Sequence, residues 1–430
     1  MDATVSDNDD SVDTVVVGAG AAGLMAAREL KHAGKRVLVL EASNRVGGRV
    51  ITLYDTNAGV PVELGAEFVH GDALETTRLC DEAHLVMVPV LGEQYRFDRG
   101  QLSPLVPAWQ RMNRVFKYMN PKRKHDRSFQ EFLDEKPGGP SLRADRELAR
   151  GFVQGFFAAD PKLVSEKWIA QQDNPTEGAA VSRRIVNGYA ALIEYLERDV
   201  AGDIRFNTLV ERISWNETGV RVYDQAGREY RARAVILAMP LPILQDPTFV
   251  IEPEIATVRR AAHDLEMGHV MRVNLVVKER FWEKKVKDLS FLQTPTRPFN
   301  VWWTHNPLIA PLITGWSGGP PAMEFAESGN IEDASITELS SVFRIQRSRV
   351  ESLIDSIFTY DWTHDPNIRG AYCYAGVGGA FAARTLARNF GGRIFLAGEA
   401  TDSGSNGTVE GALVSGKRAA SALLRGNRRS

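Results

Sequence analysis

Short apolar runs on either side of a helical stretch open the chain. Val15 to Val17 reads as a buried strand, Ala21 to Lys31 as a helix rich in Ala and Leu, and Val37 to Leu40 as a second strand, with Gly34 as the helix C-cap. Further along, Val60 to Gly71 carries an extended stretch and a loop. From Asp72 to about Asn174 the pattern is mostly helical, broken by Pro104, Pro107, Pro121 and the Pro137-Gly138-Gly139-Pro140 turn. Asn187-Gly188 precedes a helix from Tyr189 to Asp199. Short strands follow at Ile204 to Phe206, Val210 to Trp215, Gly219 to Tyr223 and Ala234 to Ala238. His269 to Lys278 predicts a strand of an opposite block, and Ile331 to Ser356 a helix-rich stretch. A strand (Ile394 to Ala397), a glycine-rich loop and a helix (Thr408 to Leu424) close the pattern, which contains no internal repeat.

The turn between the first strand and helix carries chemistry. Gly18 makes the tight turn, Gly20 lets the backbone approach a pyrophosphate, and Gly23 lets the helix pack on the strand. The helix N-terminus at Ala21 and Ala22 turns N–H groups and a positive dipole end toward phosphates. Glu41, followed by Ala42, ends the second strand, where an acid accepts hydrogen bonds from ribose hydroxyls. In Arg45-Val46-Gly47-Gly48-Arg49 the paired glycines expose backbone N–H groups and the two arginines offset pyrophosphate charge. Together these predict a dinucleotide site for FAD rather than NAD. The expected fold is α/β, with a Rossmann-like FAD-binding domain and a second, α+β substrate-binding domain. The first is discontinuous (residues 1–75, 190–260 and 375–430), and the second takes residues 76–189 and 261–374.

The 430 residues suffice for two domains with sizeable cores. A formal net charge of −2 gives no electrostatic argument for nucleic acid or a membrane surface. The basic run Lys122-Arg123-Lys124-His125 reads as a solvated loop. Cys80 and Cys373 make no disulfide framework and fit a reducing compartment. Met1 to Asp13 is acidic and polar, unlike a secretory signal, Arg425 to Ser430 is polar, and no apolar run is long enough to span a bilayer. These features predict a soluble, cytoplasmic protein; a small-molecule partner and no metal ligands are expected with it, and monomer and homodimer both stay open.

Several segments, in order along nearly the whole chain, resemble the flavin-containing amine oxidase family, which includes monoamine oxidases, polyamine oxidases, lysine-specific histone demethylases and soluble bacterial relatives. They are the N-terminal fingerprint, Glu63-Leu64-Gly65-Ala66-Glu67-Phe68-Val69-His70-Gly71, Lys278-Glu279-Arg280-Phe281-Trp282, Arg369-Gly370-Ala371-Tyr372-Cys373-Tyr374, and Leu396-Ala397-Gly398-Glu399-Ala400-Thr401 leading to Gly407-Thr408-Val409-Glu410-Gly411-Ala412. The resemblance implies the two-domain amine oxidase fold. It implies that Glu399 binds the ribityl–phosphate part of FAD, that Thr408 and Val409 contact the flavin, and that Val210 lines the adenine site. It also assigns Gly65, Ala66, Glu67, Ala238, Met239, Gly398 and Gly407 to the cofactor. A helix N-terminus at Thr408 would stabilise negative charge on a reduced ring, and Gly411, Ala412, Ser415 and Gly416 would permit close packing.

The chemistry so implied is oxidation of a C–N bond. A hydride equivalent passes from an uncharged amine to flavin N5, the imine is hydrolysed, and O2 is the expected acceptor. Tyr372 falls where the family places one wall of an aromatic cage, Thr408 where monoamine oxidases have a second tyrosine, and Trp362 where a tryptophan packs near the flavin. Arg272 takes the place of a lysine that holds a water in most members. Three roles stay open for it: holding that water differently, binding a substrate carboxylate bidentately, or turning away into a salt bridge. Tyr372 occupies the position at which monoamine oxidases attach FAD, and Cys373 follows one residue later, which predicts non-covalent FAD. Glu67 suits a cationic substrate and His70 a distal amine. Trp316 and the Val301-Trp302-Trp303-Thr304 run belong to the substrate block, with Tyr374 as a further substrate contact. Amine oxidation, amino-acid oxidation or dehydrogenation through Arg272, and a flavin-bearing interaction protein with little turnover are the three readings. No added module points to chromatin.

Overall fold

The computed structural model describes residues 12–105, 108–172, 182–295 and 297–426. Most of the Met1 to Asp13 leader, Pro107, Asn174 and the last four residues lie outside the described residues.

Two sheets organise the chain. In the nine-stranded sheet, Val12–Val17 lies parallel to Val37–Leu40 on one side and to Glu229–Leu237 on the other. The Glu229–Leu237 strand is the hub. Its first half pairs antiparallel with Val220–Asp224, and its second half pairs parallel with Ile394–Leu396. The chain's early and late segments therefore meet across one middle strand. Val15 and Val16 are fully buried, as a strand covered on both faces requires. The helices Ala21–His32 and Val409–Gly426 pack on this sheet, and a side chain at Gly416 would overlap the Ala22 carbonyl. That contact accounts for Gly416, whereas Gly411 makes room for the Ser405 carbonyl, which a Cβ there would overlap.

The seven-stranded sheet runs Ile354–Thr359, Val270–Val277, Leu312–Gly318, Val301–Thr304, Leu289–Gln293, Glu93–Asp98, Gln101–Pro104. All eight residues of Val270–Val277 are buried, and the alternation divides them. Met271, Val273, Leu275 and Val277 join the core that also holds residues of Pro320–Ser328, Ile331–Phe343 and Arg347–Leu353. Val270, Arg272, Asn274 and Val276 take the opposite face. The neighbouring tryptophans separate in the same way: Trp302 enters that core, whereas Trp303 faces the cavity described below. Gly315 makes room for Trp302, since a Cβ there would lie 2.7 Å from its ring.

The α/β fold with two sheet systems matches the expected class. Two stretches differ from their expected pattern. Within the region read as helical, Met87–Pro89, Glu93–Asp98 and Gln101–Pro104 are strands. Arg99 and Gly100 both adopt positive φ, which closes a two-residue hairpin and pairs Asp98 with Gln101. The stretch read as helix-rich to Ser356 breaks at Arg344 (φ 49°) and ends as the strand Ile354–Thr359. Among the described residues, no helix is long and apolar enough to cross a membrane.

Candidate active site

A cavity of about 480 Å³ runs from the first βα turn to the seven-stranded sheet. Its first end is built of main chain. Gly18 has φ +102°, and a Cβ on it would sit 2.7 Å from the Ala238 carbonyl. Gly20 bridges Gly47, and a Cβ on Gly20 would reach to 4.0 Å from the Gly48 Cα. The Glu41 carboxylate accepts from Ala19 N at 2.7 Å, Ser43 N at 2.9 Å and Ser43 Oγ at 2.8 Å. A carboxylate has about four acceptor sites, so capacity remains for a ribose hydroxyl. Ala21, Ala22, Ala42, Gly48, Val210, Ala238 and Met239 complete this end.

Further along, Glu399 gathers distant segments. Its Oε1 accepts from Arg49 Nη1 at 2.8 Å, and its Oε2 from Gly407 N at 3.1 Å and Cys373 Sγ at 2.9 Å. Arg49 Nη1 also donates to Ala371 O at 2.7 Å. The Cys373 thiol is pushed well up by burial and by the adjacent carboxylate. Trp362 donates its indole N–H to Leu64 O at 2.8 Å, and a Cβ on Gly65 would lie 3.2 Å from its ring. Thr408 caps the last helix: its Oγ1 accepts from Gly411 N at 3.0 Å and donates to Ser405 O at 2.6 Å. Gly65, Ala66, Gly398, Gly407 and Val409 border the same space. A glycine turn that a side chain would fill, a helix start and a buried acid with spare acceptor capacity fit FAD.

The other end is aromatic. Phe68, Phe152, Phe156, Phe291, Trp303, Trp316 and Tyr372 face it. Tyr372 donates to Phe156 O at 2.8 Å, and burial pushes its phenol above the usual range. Trp316 donates to Gly155 O at 2.9 Å. Behind these rings lies a buried charge cluster. Glu67 accepts from Arg184 Nε at 2.6 Å, from Arg272 Nη2, and from the Trp303 indole at 3.1 Å. Burial alone would raise the Glu67 carboxyl, but Arg272, Arg184 and His305 reverse that and hold it at about 2. Arg272 further donates to Gly65 O at 3.1 Å and to Asn274 Oδ1 at 3.1–3.2 Å. His70 lies 3.0 Å (Nδ1) from Ser182 Oγ, and burial lowers its imidazole to about 4, so it is neutral near pH 7.

Most residues singled out in the sequence meet in this cavity, with five revisions. Gly23 does not border it: a Cβ there would overlap the Gly18 carbonyl, so Gly23 serves the turn by packing. Arg45 ties its own loop, donating to the carbonyls of Val46, Gly48 and Val50, rather than reaching a phosphate. Tyr374, on the Cys373–Ala375 strand, turns into the core with its hydroxyl 3.4 Å from Asp160 N and does not border the cavity. Thr408 uses its hydroxyl as a helix cap, and Glu67 is paired with two guanidiniums rather than open to a cation. Of the three roles for Arg272, the structure shows the salt bridge. Sequence reasoning missed Phe152, Phe156, Phe291, Arg184 and His305. For the first two a signal exists: Gly151-Phe152 and Gly155-Phe156 repeat at helical spacing on Arg143–Phe156.

Residues 21–424 match the family described as flavin containing amine oxidoreductase. The chain is 28% identical to polyamine oxidase 2 of Arabidopsis thaliana over 95% of this chain and 87% of that protein. It is 26% identical to lysine-specific histone demethylase 2 of Homo sapiens over 95% of this chain, yet it spans only 53% of that relative. Among solved structures, putrescine oxidase bound to putrescine superposes with a TM-score of 0.82 at 20% identity, covering 96% of this chain and 99% of that one. Cyclohexylamine oxidase from Brevibacterium oxydans superposes at 0.83 with 21% identity, covering 97% and 100%. These two likenesses speak for the fold.

Proposed function

Because the chain belongs to the flavin-containing amine oxidoreductase family, we propose that it oxidises the C–N bond of an amine to an imine, with O2 as acceptor, and that it holds FAD without a covalent link. The family makes it a flavin-dependent amine oxidoreductase. Bound FAD would supply the acceptor for the hydride leaving the amine α-carbon, and water would then hydrolyse the imine to a carbonyl product and ammonia or an amine. The cofactor would be held by Gly18, Gly20, Ala21, Glu41, Gly48 and Arg49 at one end and by Trp362, Gly398, Glu399, Gly407 and Thr408 at the other.

The observation that carries this reading is the continuity of one cavity from that cradle to an aromatic chamber. The rings of Phe156, Trp316 and Tyr372 exclude water and orient an amine by shape. Such walls favour the uncharged amine over the ammonium form, so no strong protein base is required beside neutral His70. Amino-acid oxidation is the weaker reading, since Arg272 already donates to Glu67, Gly65 and Asn274 and offers no free fork to a carboxylate. Non-covalent FAD is supported by Cys373, whose protonated thiol rests on Glu399 and is a poor nucleophile. We assign the nine-stranded sheet to cofactor binding and the seven-stranded sheet to substrate.

Anaerobic bleaching of the visible flavin band tests the proposal against monoamines, polyamines and L-amino acids. Bleaching by amines lacking a carboxylate, with hydrogen peroxide formed when air is admitted, is expected. Bleaching by amino acids alone, or by nothing in the panel, would overturn it.

A further inference from the structure

We propose that the Arg184–Glu67–Arg272 cluster is a charge filter that restricts this enzyme to amines with one nitrogen and an apolar body, and turns away polyamines. The inference rests on the amine oxidation proposed above and names its substrate class.

The charge count comes first. Among the described residues, the carboxylates bordering the cavity are Glu41, Glu67 and Glu399. Glu41 and Glu399 lie at the cofactor end. Only Glu67 is placed to answer a second ammonium on the substrate, and its single negative charge is already outmatched by two guanidiniums. Arg184, Arg272 and the Trp303 indole hold its two oxygens. An ionised Glu67 and two guanidiniums, which do not lose their protons, sum to one positive charge; Glu63, which interacts with Arg272, is pushed up to about 7 by burial and offsets only part of that charge at neutral pH. The nearby histidines add none, because burial lowers His305 to about 3 and His70 to about 4. Arg184, Glu67 and Arg272 are all buried, so water screens this charge weakly.

The aromatic walls point the same way. Arg184 lies over the Phe68 ring at 4.6 Å, and Arg272 over the Trp303 ring at 5.4 Å. Both rings border the cavity, and each already carries a cation on one face. A polycation would thus meet a net positive charge and rings that already hold cations. A cyclic or aromatic hydrocarbon meets only apolar contact with Phe152, Phe156, Phe291 and Trp316. A unit charge about 10 Å away across an effective dielectric near 20 is worth roughly tenfold in binding.

The test uses the wild-type holoenzyme and anaerobic stopped-flow bleaching. The limiting rate over the apparent Kd is read for cyclohexylamine, 2-phenylethylamine, putrescine and spermidine. The expected result is bleaching by both monoamines, with each polyamine at least about tenfold worse. Polyamines equal to or better than the monoamines would overturn the filter while leaving amine oxidation intact. No bleaching by any of the four would overturn amine oxidation itself, and the filter with it. The variant Arg184→Met removes one of the two positive charges at a residue that does not itself line the cavity. It should narrow the monoamine-to-putrescine ratio by roughly tenfold, and an unchanged ratio would count against the filter. Should this variant fail to fold, the wild-type series alone decides.

Discussion

At the Gly18 to Gly48 end of the cavity the wall is main chain, and at the Phe68 to Trp316 end it is side chain. The first surface exists because glycines leave room: a Cβ on Gly18 or Gly65 would press on Ala238 or Trp362. The second exists because large and charged groups are matched in pairs, Glu67 to its two arginines and Tyr372 to the Phe156 carbonyl. A surface made of absent side chains tolerates almost no addition. A surface made of paired side chains tolerates little removal, since each deletion leaves a buried partner unmatched.

Adding one carbon directly behind the first surface, where Gly23 supports the Gly18 turn, should have the largest effect. Gly23→Ala forces a Cβ into the Gly18 carbonyl, at a cost of about 3 kcal/mol or more. The purified variant should carry little or no visible flavin absorbance after desalting. Removing charge from the second surface comes next. Glu67→Gln leaves Arg184 and Arg272 buried without an anion, which costs about 3–5 kcal/mol. Urea unfolding of the holoprotein should show that loss, and a loss under about 1 kcal/mol would mean that water reaches the cluster.

A subtler contrast lies behind the aromatic wall, at Glu338. It accepts from the Trp302 indole at 2.7 Å, and burial pushes it up to about 7. The folded protein keeps this proton where the unfolded chain has released it. The contribution is therefore complete below about pH 4.5 and declines as pH rises to about 7, above which it is lost. Glu338→Gln should flatten the stability–pH curve across that window, by on the order of 3 kcal/mol at most. Part of the slope should survive, because buried Glu63 is raised to about 7 in the same way. The smallest effect is expected for Cys373→Ala. It removes one thiol–carboxylate contact, worth about 1 kcal/mol. Acid precipitation should release free FAD equally from variant and parent, whereas flavin retained in the parent's precipitate would disprove the non-covalent assignment.

The same contrast explains what the sequence disclosed. Gly18, Gly20 and Glu41 were readable because a nucleotide cradle demands particular residues at fixed local spacing. Val270–Val277 is readable as a strand and the resemblance singles out Arg272 on it, but a strand buried on both faces gives no alternation to say that Arg272 meets Glu67 rather than a substrate. Arg184 was invisible: its partner Glu67 lies 117 positions away, and no local pattern records that pairing. The hairpin through Arg99-Gly100 was hidden for another reason, since Arg99 takes a positive φ that its side chain does not advertise.

The bond from Arg49 to Glu399 joins residues 350 positions apart in sequence. A growing polypeptide emerging from the ribosome makes Arg49 350 residues before Glu399, so the wall they share cannot close until that later segment has emerged. The middle strand Glu229–Leu237 has the same dependence, completing its pairing with Ile394–Leu396 only once that segment has been made. Such distant pairings make for slow acquisition of the native state. The space between those walls therefore becomes enclosed only after the Ile394–Leu396 strand and Glu399 are in place.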